Sequence, residues 1–142
     1  MAILQILKHP DETLSMKSKH VTEFGGRLHV LLDDMHDTLV RANGMGLAAA
    51  QVGRLMRACI VDTGKQGVLE LINPEIIVGA KEKDGEEACL SVPNKAATMK
   101  RYHHIKVKYQ DRFGTEHIGE FRGMVAVCIQ HEMDHMDGVL IV

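Results

Sequence analysis

Near its end the chain reads Q-H-E-M-D-H-M-D-G, Gln130 to Gly138. The H-E-x-x-H core of that stretch constrains the fold most, because it works only on a helix that faces a metal ion. Residues four apart on a helix lie about 40° apart in projection, so His131 and His135 share one face. Glu132 is turned about 100° from His131. It can reach the open side of a metal without binding it, take a proton from a water and deliver that proton to a leaving amine. Catalytic sites of this kind normally use three protein ligands. Only seven residues follow His135. In the pattern H-E-x-x-H-x-x-G-x-x-H the third ligand stands six residues after the second histidine. Gly138 fits that pattern, but the ligand position is Ile141. The third ligand therefore has to come from upstream.

The chain has three cysteines, Cys59, Cys89 and Cys128. Cys128 flanks the face of His131, three residues away, but reads equally well as a small core thiol. Cys59 sits among apolar strand residues and also reads as core. Cys89 lies in E-E-A-C-L-S-V-P, after a charged segment and before a proline, where an irregular backbone could present a thiolate. Spacing alone leaves the choice open. One cysteine with two histidines is a catalytic zinc combination that also suits iron. A thiolate leaves the ion about +1 net and activates water less strongly than a third imidazole would. Such a site suits an unhindered, electrophilic carbonyl better than an ordinary peptide bond.

The rest of the pattern points to an α+β fold, with short mixed or antiparallel strands packed around the C-terminal metal-binding helix. In R-L-H-V-L-L-D-D-M-H-D-T-L-V-R-A-N-G, residues Leu28, Leu31, Leu32, Met35 and Leu39 recur at helical spacing, and Gly44 is the expected stop. G-M-G-L-A-A-A-Q reads as a loop or tight turn, and R-A-C-I-V-D as a strand. G-V-L-E-L-I-N-P-E-I-I-V-G reads as two short strands broken at Asn73-Pro74, and K-E-K-D-G-E-E as a charged turn. Ile105, Val107 and Tyr109 alternate ahead of Gly114, which predicts a hairpin. The last helix, G-M-V-A-V-C-I-Q-H-E-M-D-H-M-D-G, turns Val125, Cys128, Ile129 and Met136 inward, with Gly138 as its C-terminal cap.

A length of 142 residues fits one domain spanning residues 1–142. The formal charge is -2 and no basic run appears, so the electrostatic footprint of a nucleic-acid binder is missing. No stretch reaches the ~18 apolar residues of a membrane span, and the N-terminus has no secretory pattern. Free cysteines suit a reducing compartment. A cytoplasmic protein is expected.

Three segments stand together: Gly44–Gln51 (G-M-G-L-A-A-A-Q), Glu87–Ser91 (E-A-C-L-S) and Gln130–His135 (Q-H-E-M-D-H). In this order they resemble the three signature motifs of the peptide deformylases, and I-L-K-H-P-D-E-T-L resembles that family's opening segment. The resemblance implies hydrolysis of the N-terminal formyl group from formyl-methionine on new polypeptides, with release of formate. It implies Cys89, His131 and His135 as ligands of one divalent ion. Fe(II) is the expected native metal, with zinc or nickel as substitutes. It also implies Glu132 as general acid/base, and Gln51 and the backbone N–H of Leu90 as donors to the developing oxyanion. Donors fixed at such a position are typically worth ~3 kcal/mol each. Gly46 would meet the peptide backbone. Gly44, Met45, Glu87, Ala88, Val127 and Cys128 would complete the substrate site, with Val127 and Cys128 also packing in the core. Arg101 reads as a partner for a carboxylate near the site or as an exposed strand residue. The expected partners are formyl-methionyl nascent chains, with transient ribosome contact, and a monomer is expected.

Two residues depart from the family pattern. Ala88 stands where glycine is usual, and a positive φ there would cost ~1 kcal/mol. Asn43 replaces a common acidic residue. The ending G-V-L-I-V either resembles shortened forms found in some viruses of bacteria or reflects truncation of a longer chain. Two rivals are a peptidase or another amidase with the same metal site, and a module in which a metal only staples the fold. The absent downstream ligand argues against the first, and Glu132, Gln51 and Leu90 argue against the second.

Overall fold

The computed structural model of the chain describes residues 2–142. Met1, within the expected domain, lies outside the described residues. Helix α1 spans Gly26–Ala42, and the C-terminal helix α2 spans Gly123–Met136. Between them run β1 (Gly46–Ala48), β2 (Ala58–Asp62), β3 (Val68–Cys89), β4 (Val92–Gln110) and β5 (Glu116–Arg122). They form one five-stranded sheet in the order β1-β2-β3-β4-β5, with every neighbouring pair antiparallel. The α+β class and the C-terminal position of the last helix match the sequence reading.

The periodic leucines of α1 bury Leu28, Leu31, Leu32, Met35 and Leu39 in a core shared with Leu47, Ile60 and Ile72. The helix closes one residue earlier than expected. Asn43, at φ 55°, turns left-handed and donates its N–H to the carbonyls of Leu39 and Val40. Asparagine tolerates that conformation almost as glycine does. Gly44 then adds a weaker bond to Leu39 O at 3.3 Å.

Helix α2 is the centre of the second core. The run Ala126 to Glu132 is buried without a break, so α2 is enclosed rather than amphipathic. Cys128, Ile129 and Met136 pack with Ala48, Cys59, Val61, Leu71, Ile105 and Val107, while Val125 is only half-buried. Gly138 ends the helix as expected, at φ 74°. Its N–H donates to His135 O at 3.1 Å and that of Val139 to Asp134 O at 2.9 Å, the paired pattern of a left-handed helix stop.

The strands are longer than the sequence suggested. Asn73-Pro74 does not break the chain into two strands. It makes a bulge in β3, where the register with β4 shifts between Ile72 and Glu75. Asn73, at φ 52°, bonds both backbone groups of Val21 through its side chain, so the bulge's polar side is satisfied by another segment. K-E-K-D-G-E-E is not a turn either. Lys81 to Glu87 continue β3, with Lys83 opposite Arg101 and Glu86 opposite Thr98. The reversal occurs at Leu90–Ser91, between paired Cys89 and Val92. G-M-G-L-A-A-A-Q contains β1 followed by a tight 3-10 turn over Ala49–Val52. The β4–β5 hairpin is as expected, with Gly114 at φ 84° in its turn. Among the described residues no helix is long and apolar enough to cross a membrane.

Candidate active site

The tip of the β3–β4 ribbon offers a candidate for the third ligand position. Cys89 ends β3 and meets α2 near its C-terminal end. Its sulfur lies 3.3 Å from His135 Nε2. The candidate donor atoms of Cys89, His131 and His135 all fall within 4.8 Å of one another. Zinc–sulfur and zinc–nitrogen bonds are about 2.3 and 2.0 Å, so one ion can reach all three. The residues present thus fit a metal in both spacing and donor chemistry. Cys59 is fully buried in the core, and Cys128 points to Glu132 instead.

Side-chain contacts orient two of the three candidate ligands, Cys89 and His131, while Nδ1 of His135 has no hydrogen-bond partner among the described residues. His131 donates from Nδ1 to Glu87 Oε1 at 2.9 Å, which leaves Nε2 for a metal. Glu87 is held in turn by Arg101, whose Nε and Nη2 donate to its two oxygens at 2.8 and 3.0 Å. Arg101 also pairs with Asp134 on α2. The negative surroundings of His131 matter. Burial alone lowers its pKa, but Cys89, Glu132 and Glu87 outweigh it and hold the ring up to about 9. A metal at Nε2 takes the place of the proton that this surround attracts. Burial, then the positive charges of His131 and Arg101, push His135 down to about 3. It is neutral, with a lone pair to donate.

Glu132 is buried, 3% exposed. Burial raises its carboxyl to about 7, against the lowering influence of His131 and Arg101. One oxygen, Oε2, has the Cys128 thiol at 3.9 Å; the other, Oε1, has no protein partner. A carboxyl with a pKa near neutrality and one free oxygen is suited to proton transfer. Gly46 passes directly over this pair. A Cβ there would stand 2.6 Å from Cys128 Sγ and 2.7 Å from Glu132 Oε2. Only glycine lets β1 run this close to α2.

A cavity of about 380 Å³ opens beside these residues. All the sequence-predicted site residues line it except His135: Gly44, Met45, Gly46, Gln51, Glu87, Ala88, Cys89, Leu90, Val127, Cys128, His131 and Glu132. Gln51 sits in the turn after β1. Its Oε1 accepts from Ala48 N–H at 2.9 Å, so its NH2 points toward Cys89, with Nε2 3.8 Å from the sulfur. Ala88 has no positive φ, so the anticipated strain is absent. Its methyl simply forms part of the cavity wall.

The sequence profile of the polypeptide deformylase family matches residues 3–142. A peptide deformylase from Heliobacterium modesticaldum is 46% identical over all of this chain and 93% of its own length. One from Caldicellulosiruptor bescii is 49% identical over all of this chain and 85% of its own. The crystal structure of a peptide deformylase from Legionella pneumophila superimposes with a TM-score of 0.95 at 42% identity. It covers 99% of this chain, and this chain covers 84% of it. The chain belongs to the polypeptide deformylase family.

Deformylases of this family are metal-dependent hydrolases that remove the N-terminal formyl group from newly made polypeptides, and this chain is one of them. Some residues of the deformylase site take roles beyond those the sequence suggests. Glu87 was expected only as a pocket wall, yet its carboxylate turns to Arg101 and His131. Arg101, expected either as the partner of a carboxylate near the site or as an exposed strand residue, is 7% exposed and pairs with Glu87, the first of these. An arginine placed by alternation on the inward side of a strand was the available signal. Glu86 and Met124 also line the cavity, and nothing in the sequence singled them out. Ser91 was quoted as part of a motif without a task.

Proposed function

We propose that Cys89, His131 and His135 together hold one divalent ion, natively Fe(II), with zinc or nickel able to replace it. The observation that carries this reading is the convergence of three ligand atoms within 4.8 Å beside a buried acid with one free oxygen. When bound, the ion supplies Lewis acidity toward water and toward the formyl oxygen.

The chain's own residues do the rest. The methionine side chain enters the apolar side of the cavity, against Met45, Val127 and Cys128, with the peptide backbone along Gly44 to Gly46 and Ala88. Glu132 accepts a proton from water as the water oxygen bonds the formyl carbon. It then returns that proton to the nitrogen as the C–N bond breaks, releasing formate and a free N-terminus. Gln51 Nε2 and the N–H of Leu90 face the oxygen on which negative charge builds, and fixed donors there lower the barrier. Selection of formyl over acetyl is steric: the formyl carbon carries only hydrogen, and the crowded ligand cluster leaves little room for an acetyl methyl. We take residues 1–142 as one catalytic domain and a monomer, in a bacterial cytoplasm or that of a virus-infected bacterium, meeting nascent chains in transient contact with the ribosome. The bacterial origin of the relatives supports the setting.

The test is formate release from formyl-Met-Ala-Ser after metal removal and anaerobic reloading with Fe(II), zinc or nickel, since thiolate and ferrous iron both oxidise. Fe(II) should restore the highest rate. Acetyl-Met-Ala-Ser and an unformylated peptide should remain intact. Cleavage inside the second peptide, without formate, would overturn the reading. Glu132→Ala should keep its metal and its fold yet lose turnover.

A further inference from the structure

Ser91 has no part in the mechanism above, yet its side chain is fully buried, 0% exposed, at the turn after Cys89. A buried hydroxyl needs a partner. Its Oγ accepts a hydrogen bond from Gln51 Nε2 at 3.1 Å. Gln51, 1% exposed, has one carbonyl oxygen and two amide N–H groups to satisfy. The oxygen accepts from Ala48 N–H, which decides which end of the amide is nitrogen. One N–H goes to Ser91. The same nitrogen lies 3.8 Å from Cys89 Sγ, so the second N–H has the sulfur side of the cavity open to it. The two residues are also held in register through their backbones. Leu7 N–H donates to Gln51 O and His9 N–H to Ser91 O, each at 2.7 Å.

We propose that Ser91 is a positioning residue that acts through Gln51: its hydroxyl engages one amide N–H and thereby aims the other at the space beside the Cys89 sulfur, where the formyl oxygen gains charge. This deepens the reading of Gln51 as an oxyanion donor and rests on it. Without the hydroxyl, only the Ala48 N–H at the amide oxygen still holds the group, and it rocks about its last torsion, which is broad. Both N–H groups then compete for sulfur and substrate. A donor onto a ligating thiolate also draws electron density from sulfur, so the same contact tunes the metal.

A double-mutant cycle on the metal-loaded enzyme tests this, alongside the sulfur-to-metal charge-transfer band of the cobalt(II)-substituted protein. Ser91→Ala should lower kcat roughly tenfold, the scale of lost partners around a metal site, with KM changed less than about twofold. In a Gln51→Ala background the same change should have no further effect. Both single variants should move the cobalt band in one direction at unchanged metal content. Ser91→Cys, close in volume and a weak acceptor, serves if the alanine variant does not fold, and should behave alike. An equal loss from Ser91→Ala in both backgrounds overturns the proposal, as does an unmoved band with normal kcat. If Gln51→Ala keeps normal kcat while both variants still shift the band, the oxyanion reading falls and the positioning of the amide on sulfur stands.

Discussion

Gly46→Ala separates the proton shuttle from the metal. The new methyl would sit 2.7 Å from Glu132 Oε2 and 2.6 Å from Cys128 Sγ. Ordinary contact begins near 3.5 Å, so the carboxylate has to retreat by about 0.8 Å or β1 has to lift by a similar amount. Neither neighbour is a loose surface chain, since Glu132 and Cys128 are both buried. Overpacking of this kind costs typically about 1–3 kcal/mol of stability. The larger effect is on rate. A misplacement of about 1 Å at the reacting centre costs roughly 10²-fold, or about 2.7 kcal/mol of barrier. The three atoms nearest the methyl belong to Cys128 and Glu132, none of them to Cys89, His131 or His135, so metal content should stay at one ion per chain. The assay is formate release at saturating formyl-Met-Ala-Ser, with metal analysis and thermal unfolding of the same preparations. Adding Cys128→Ala removes the sulfur obstacle and opens room for Glu132 to settle, and should recover part of the rate. A Gly46→Ala enzyme with near-normal kcat would refute the reasoning, because the crowding would then not reach the acid/base. So would loss of the metal with the rate, because the strain would then be felt at the ligands.

Arg101→Leu should lower stability by about 3–5 kcal/mol, because it strips the cation from a buried carboxylate; denaturant unfolding checks this, and metal affinity should fall as His131 loses its fixed partner. Glu70 is held down to about 2, since Arg112 and His36 outweigh the opposing effect of burial. Its carboxylate therefore contributes stability above its unfolded pKa of 4.5, lost as pH falls from there toward 2. Solvent screening at the half-exposed Arg112 leaves on the order of 1–2 kcal/mol. The stability gap between the wild type and Glu70→Gln should close between pH 5 and 2, and parallel acid curves would contradict the assignment. Ala88→Gly should relieve no strain and should cost up to about 1 kcal/mol in strand stability, read from the melting temperature, with KM for formyl peptides as the probe of crowding.

Helix α1 and the hairpin are legible because their burial is one-sided, whereas the enclosed helix α2 is legible from its H-E-x-x-H spacing and its glycine stop. The leucines of α1 face one core and the alternating residues of β4 face another, so a period survives in the sequence. The long ribbon was not legible for the opposite reason. Residues from Lys81 to Glu86 of β3 are exposed, so no apolar alternation marks them and their charges resemble a turn. Asn73-Pro74 looks like a break because its compensation is remote: Val21 supplies the missing partners. The actual reversal at Leu90–Ser91 carries no glycine or asparagine. Its tip is buried against Gln51 and α2, so it lacks the polar composition of an exposed turn.

The site shows the same division between local and distant information. His131, Glu132 and His135 share a helix, so their relative placement follows from 3.6 residues per turn. Cys89 is brought to them by the length of a ribbon whose existence the sequence concealed, and spacing alone could not choose it over Cys59 or Cys128. What excludes those two is burial and direction. Cys59 is enclosed by apolar residues, and its thiol is pushed well up by burial, then by Glu132. Cys128 sits one helical turn before Glu132 and is likewise held strongly toward the protonated thiol. Neither is suited to supply a thiolate, the form a metal binds. Cys89 stands instead where β3 ends, beside an amide that can donate to sulfur and within reach of the imidazoles of His131 and His135. A Cys89→Asp exchange keeps an anionic ligand at that tip but replaces sulfur by oxygen. Metal should still bind, the cobalt charge-transfer band should vanish, and formate release should change in rate. Retention of that band would place the ligating sulfur at Cys128 or Cys59 and overturn the assignment of Cys89.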